Sequence, residues 1–184
     1  MQRRDFLILI SGAQLAIMPM RSAWSAGTAS KSIADIQANW TKLLAPGADV
    51  ATVTDALALS DDEWRKRLTQ EQYNVLRHEG TEYPFTSPLN GEKRAGVFVC
   101  AGCSLPLFTS QMKFDSGTGW PSFFTLIPDR LATKQDFKLV YPRTEYHCVR
   151  CGGHQGHVFD DGPPPTGLRY CNNGVALRFI PQKA

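Results

Sequence analysis

The sequence predicts a small, mostly antiparallel β domain entered through a pair of short helices and stapled by paired cysteines. Three observations carry this expectation. After Gly80 the chain breaks into short runs of β-branched and aromatic residues between Gly, Pro, Asn and Asp, with little helical period. Just before Gly80, two helix-start signatures follow one another. Four of the five cysteines form two C-x-x-C pairs, Cys100 with Cys103 and Cys148 with Cys151. At 184 residues the chain suits one domain and is short for two.

Taken in order, the chain opens on Gln2-Arg3-Arg4-Asp5-Phe6-Leu7, a twin arginine ahead of an apolar run ending near Met18 and Pro19. That run is too short to span a bilayer, which needs about 20 apolar residues. It resembles a twin-arginine export signal, assigned to residues 1–26; an uncleaved anchor or a chance arginine pair are the alternatives. Residues 27–59 read as a loosely packed lead-in in which Ile33 to Leu44 could form a helix, and the folded domain is expected over 60–184. Ser60-Asp61-Asp62-Glu63 and Thr69-Gln70-Glu71-Gln72 are capping boxes. The first sets Trp64 and Leu68 on one helical face; the second leads to Tyr73 and Leu76 and is stopped by Gly80 as the residue past the helix end. Strands are expected at Val97 to Val99, Leu105 to Phe108, Lys138 to Tyr141, Tyr146 to Val149, Val158-Phe159 and Val175 to Ile180. Pro163-Pro164-Pro165 reads as a stiff loop.

The net charge of +3 is weak and its Lys and Arg are scattered, which argues against nucleic acid. Export would put the cysteines in an oxidising compartment, where two C-x-x-C disulfides compete with a metal site. Such disulfides constrain little of the chain. Four thiolates on one zinc instead tie together segments more than forty residues apart, and such binding contributes roughly 10–16 kcal/mol in small zinc peptides. We therefore expect a structural zinc on Cys100, Cys103, Cys148 and Cys151. Cys171 is left over. It lies in Arg169-Tyr170-Cys171-Asn172-Asn173, behind a cation and ahead of amides, where a reactive thiolate would be placed; a buried structural thiol is the alternative.

Three stretches resemble the methionine-R-sulfoxide reductase B family: Lys113-Phe114-Asp115-Ser116-Gly117-Thr118-Gly119-Trp120-Pro121-Ser122-Phe123, then Cys151-Gly152-Gly153-His154-Gln155-Gly156-His157-Val158-Phe159, then Gly167-Leu168-Arg169-Tyr170-Cys171-Asn172-Asn173-Gly174. Glu79-Gly80-Thr81-Glu82-Tyr83-Pro84-Phe85 is similar to that family's N-terminal edge. The likeness covers roughly Asp61 to Pro181, and with both knuckles in order it is highly specific. It implies a pair of antiparallel sheets and reduction of the R epimer of methionine sulfoxide, protein-bound or free, to methionine.

The chemistry needs a thiolate to attack sulfur and an acid to protonate the departing oxygen. Cys171 is the only unpaired thiol, and in a strand Arg169 would share its face. The resemblance implies that His154 and His157 protonate or orient the sulfoxide oxygen; zinc ligation and a structural role compete with that reading. Asp161 is expected to fix a histidine tautomer, with Asp160 as an ambiguity, and Asn173 to join the active-site network. The resemblance makes Trp120, and with it Phe159 or Phe123, the apolar wall for the substrate methyl. His78 and His147 read as structural.

Many family members carry a resolving cysteine where this chain has Thr118. The sulfenic acid formed on Cys171 would then be recycled by an external thioredoxin-like or low-molecular-weight thiol. We expect a periplasmic monomer, or a cytoplasmic one if the signal is not read. A zinc-ribbon binding module would leave the His154, His157 and Trp120 motifs unexplained, and a disulfide oxidoreductase would need one knuckle free of metal.

Overall fold

The computed structural model describes residues 32–139 and 141–182, so the twin-arginine segment and the proposed signal lie outside the described residues. Among the described residues, three α-helices precede the sheets: α1 Ile33–Ala38, α2 Asp61–Arg67 and α3 Gln70–His78. Both expected capping boxes form, on Ser60 with Glu63 and on Thr69 with Gln72, each side chain accepting from the other residue's amide. The left-handed residue closing α3 is Glu79, one position earlier than the expected Gly80. Gly80 donates its amide to the Asn74 carbonyl at 3.1 Å. A Cβ on it would come within 2.6 Å of Asn74 Nδ2, so the glycine serves close approach and not a positive φ.

The lead-in is more than a loose tether. α1 runs into a 3-10 turn, Trp40–Leu43, whose Leu43 is buried, and Ile36, Trp40, Val50 and Leu57 pack on the core. Ala51 donates to the Ser104 carbonyl and Leu57 to the Arg150 carbonyl, at 2.9 and 2.7 Å, so residues 51–57 cross both cysteine turns. The alanine-rich composition hid a sparse but sufficient set of large apolar anchors.

The strands are β1 Gly96–Cys100, β2 Pro106–Thr109, β3 Lys113–Phe114, β4 Ser122–Phe123, β5 Leu131–Asp136, β6 Arg143–Cys148, β7 His154–Phe159, β8 Arg169–Asn172 and β9 Leu177–Pro181. They make two antiparallel sheets, a three-stranded one ordered β2-β1-β9 and a six-stranded one ordered β3-β4-β8-β7-β6-β5. This is the mainly β, two-sheet fold expected. One expected strand is displaced: 138, 139 and 141 lie in the turn between β5 and β6. Asp136 ends β5 by accepting the Lys138 amide at 2.9 Å, which removes that donor from any ladder.

The core fills the space between the sheets with aromatic rings. Phe98 of β1 meets Phe123 of β4 edge-on at 5.0 Å, Phe108 stacks on Phe123 at 4.1 Å, and Tyr146 meets Tyr170 at 5.4 Å. Phe123 is fully buried there and takes no part in a substrate wall. Among the described residues, no helix is long and apolar enough to cross a membrane.

Candidate active site

Strand pairing collects the site. Residues directly opposite in an antiparallel ladder share a face, and the face alternates along each strand. His157 of β7 pairs with Cys171 of β8, which pairs on its other side with Ser122 of β4. Glu145 of β6 pairs with His157, Phe159 with Arg169, and Asp136 of β5 with Arg143. One face of the six-stranded sheet thus carries Asp136, Arg143, Glu145, His157, Phe159, Arg169, Cys171 and Ser122. The opposite face carries Tyr146, Tyr170 and Phe123 into the core. Gly156 lets the two central strands close: a Cβ there would sit 1.9 Å from the Cys171 carbonyl oxygen.

On this face lies a cleft of about 120 Å³ lined by Thr81, Trp120, Arg143, His157, Phe159, Cys171, Asn173 and their neighbours. Burial raises the Cys171 thiol above its ordinary value, and Arg169 and Thr118 oppose that without cancelling it. At rest Cys171 is therefore a thiol with stabilisers in place, and not the standing thiolate expected from the arginine alone. Arg169 is tied by two parallel bonds to Asp161, 2.8 and 2.9 Å long, and lies over the Phe159 ring at 4.4 Å.

Asp161 accordingly holds the arginine and no histidine. The carboxylates on the histidines are Glu145, 2.7 Å from His154 Nδ1, and Asp136, 2.7 Å from His157 Nε2. Asp136 is held well below the usual carboxylate range by the Lys138 amide, with His157 and Arg143 adding to it. Burial pushes Glu145 up, but His154 and His147 more than offset it. Both carboxylates are therefore ionised acceptors, so His154 donates from Nδ1 and His157 from Nε2. Burial lowers His157 below 6.5 against the pull of Asp136, so it is neutral at pH 7. His157 lines the cleft; His154 is buried behind it, ring centroids 5.4 Å apart, with a buried Nε2 that has no partner among the described residues.

Trp120 also lines the cleft, its Nε1 donating to the Glu82 carbonyl at 3.1 Å. Asn173 spends its side chain on scaffold, accepting from the Glu82 amide and donating to the Gln155 carbonyl, both at 3.0 Å. Glu82, Arg143, Glu145 and Asp136 were not singled out from the sequence. Glu145 had a signal: Arg143, Glu145 and His147 alternate at period two ahead of a knuckle. Asp136 lies 21 residues from His157 with no mark of its own.

The four paired cysteines converge at the ends of β1 and β6. Their sulfurs are buried and all lie within 4.8 Å of one another. Cys100 to Cys151 is 3.6 Å and Cys103 to Cys148 is 3.5 Å. Disulfides need about 2.05 Å, whereas the edge of a zinc tetrahedron with Zn–S near 2.3 Å is about 3.8 Å. The set fits a metal such as zinc. Arg67 and Arg77 of the helical pair bond the Gly102 and Cys151 carbonyls at 2.8 Å, and Leu76 and Trp64 cover the turns.

Residues 68–181 match the model of the SelR domain. The chain belongs to the SelR domain family. Within it, the chain is 54% identical over 125 residues to the peptide methionine sulfoxide reductase MsrB of Methanosarcina barkeri, covering 67% of this chain and 88% of that one. Proteins of the same name from Pseudomonas putida and Agrobacterium fabrum are 55% and 52% identical, each over 66% of this chain and 92% and 91% of theirs. The family match takes in both knuckles, Trp120 and Cys171; α1, α2 and the crossing segment 51–57 precede it.

Proposed function

We propose that this SelR-family chain is an oxidoreductase that reduces the R epimer of methionine sulfoxide to methionine with Cys171 as nucleophile. The observation that carries the reading is the single-face row of His157, Cys171 and Ser122, with Trp120 lining the same cleft as His157 and Cys171. The sulfoxide methyl packs against the indole and its oxygen turns to the polar face, where His157 delivers a proton from Nδ1 once it has taken one up there, its Nε2–H staying on Asp136 and His154 lying behind it. Cys171 sulfur attacks the sulfoxide sulfur as the thiol proton and one from the polar face pass to the oxygen, which leaves as water; that water then adds to Cys171 sulfur as its bond to the substrate sulfur breaks, and the borrowed proton returns to the polar face. Net, the oxygen moves to Cys171, giving a sulfenic acid and the thioether. Arg169, held by Asp161, favours the charge that develops on Cys171.

Four cysteines are grouped at the metal site and Thr118 occupies the resolving position, so an external thiol completes the cycle. It condenses with the sulfenic acid, releasing water and forming a mixed disulfide, which a second thiol reduces. Cys100, Cys103, Cys148 and Cys151 would hold zinc as a structural tie between the two sheets, with no part in the reaction. The twin arginine supports export to the periplasm, testable by fusing residues 1–26 to a reporter.

The test is single-turnover methionine formation from peptides with separated R and S epimers, without added reductant, by wild type and Cys171→Ser. One methionine per protein from R alone, absent in the variant, is expected. No turnover by zinc-loaded wild type discards the reading.

A further inference from the structure

Among the described residues, six large apolar side chains are exposed, and five of them fall in two short segments, 83–85 and 137–141. Both segments flank the cleft. Phe85 lines a groove of about 620 Å³ that shares Trp120 with the cleft, and Leu139 and Tyr141 line one of about 660 Å³ that shares Phe159 with it. The first shoulder is built at a cost in backbone strain. Phe85 has φ 65°, a region where bulky residues are rare, yet the residue is 72% exposed. Its amide donates to the Gly119 carbonyl at 2.7 Å, and a Cβ on Gly119 would come within 2.8 Å of that nitrogen. The strained residue is locked to the loop that carries Trp120 and presents its ring to solvent beside the reacting centre.

We propose that the two shoulders are docking subsites for the side chains on either side of the oxidised methionine in an extended, apolar polypeptide segment, an inference that rests on the reductase activity proposed above. Continuity with the cleft argues for this occupant. A methionine sulfoxide bound against Trp120 sends its two chain directions outward, and the grooves that carry these exposed rings leave the cleft on the Trp120 and Phe159 sides, the first with Phe85 and Phe114 beside the polar Glu92, Lys93, Lys113 and Asp115. Methionine is a core residue, so the chain around an oxidised one that has unfolded is itself apolar. The subsites discriminate such segments from polar ones.

The test is single-turnover kinetics on heptapeptides with central R-methionine sulfoxide and Leu or Ser on one or both flanks, with N-acetyl methionine-R-sulfoxide amide as minimal substrate. Wild type should prefer Leu over Ser by about tenfold per flank, the factor that roughly 50 Å² of buried apolar surface supplies. Phe85→Ser should abolish the preference on one flank, and Leu139→Ser with Tyr141→Ser on the other, each ratio taken against the minimal substrate. Equal rates for Leu and Ser flanks in wild type, or full preference in every variant, overturns the proposal. So does a loss seen only in steady-state turnover with reductant, which gives the shoulders to the reducing partner. No turnover of the minimal substrate by wild type sinks the reductase reading itself.

Discussion

Glu82 is the residue whose replacement tests the architecture of the cleft most directly. It is buried, and four hydrogen bonds join it to both walls. Its carboxylate accepts the Gly174 and Val175 amides at 2.5 and 2.9 Å, its carbonyl accepts Trp120 Nε1, and its amide donates to Asn173. Glu82→Ala leaves two amides without acceptors, at about 1–3 kcal/mol each. That is a large part of the 5–15 kcal/mol of an ordinary fold. Glu82→Gln keeps one acceptor, so it should cost about 1–3 kcal/mol and lower Tm by about 2–4 °C per kcal/mol. The segment after Cys171 then shifts relative to Trp120, and a displacement near 1 Å costs on the order of 100-fold in rate. Single-turnover kinetics should therefore show a slower chemical step for Glu82→Gln, with zinc content and Cys171 alkylation retained. Burial raises the Glu82 carboxyl above 4.5. The folded form thus binds its proton more readily than the unfolded one, and stability falls as pH rises through that window. The glutamine variant should lose this slope. Unchanged Tm and unchanged single-turnover rate in Glu82→Ala would refute the reasoning.

Three further outcomes follow from the same geometry. Arg169→Met removes the main group opposing burial at Cys171, so the pH profile of its alkylation by iodoacetamide should move upward. Asp136→Asn removes a contact that raises His157 while burial lowers it, so the His157 pKa by NMR should fall further below 6.5. Because the fold binds that proton less readily than the unfolded chain, this contribution to stability grows as pH rises to 6.5 and is lost on acidification. Thr118 lies close enough to Cys171 to stabilise its thiolate, so Thr118→Cys should form an intramolecular disulfide after one turnover, read as the loss of both thiols by mass spectrometry.

Much of the fold was legible because its signals are local. Capping boxes, C-x-x-C turns and β-rich runs each act within a few residues, and Ser60, Thr69 and the knuckles fall where they point. Strand pairing is not local. The sequence places Cys171 and the histidines in motifs, but their partners Glu145 and Asp136 reach them only through the β5-β6-β7 ladder. Asp161 misled because it follows His157 closely along the chain, whereas its side chain meets Arg169, eight residues on. Lys138 to Tyr141 has strand composition but an Asx turn at its start, and composition cannot report which amide a carboxylate will take. The burial that raises Cys171 is likewise a property of the packed cleft and of no motif.

The metal staple and the reacting face are mechanically one object. β6 carries Arg143 and Glu145 and ends in Cys148, and β7 begins three residues after Cys151, so the second knuckle is the hairpin turn that sets Glu145 against His157. The first knuckle hangs from β1 in the other sheet, and four sulfurs on one ion would fix the sheets to each other at that corner. Gln155 continues the tie: its Nε2 donates to Cys100 Sγ at 3.4 Å, while its carbonyl receives the Asn173 amide at 2.8 Å and Asn173 Nδ2 at 3.0 Å. From sulfur to the residue two past the nucleophile there is one intervening side chain. The proposed methyl wall and oxygen-binding face are joined through Glu82 and Asn173 and through the β4–β8 ladder, where the Pro121 carbonyl takes the Asn172 amide at 2.9 Å, and the metal corner adds a further tie on the Gln155 side. Loss of metal should thus act first on the relative placement of Trp120 and Cys171, and only through it on the chemistry of the thiol.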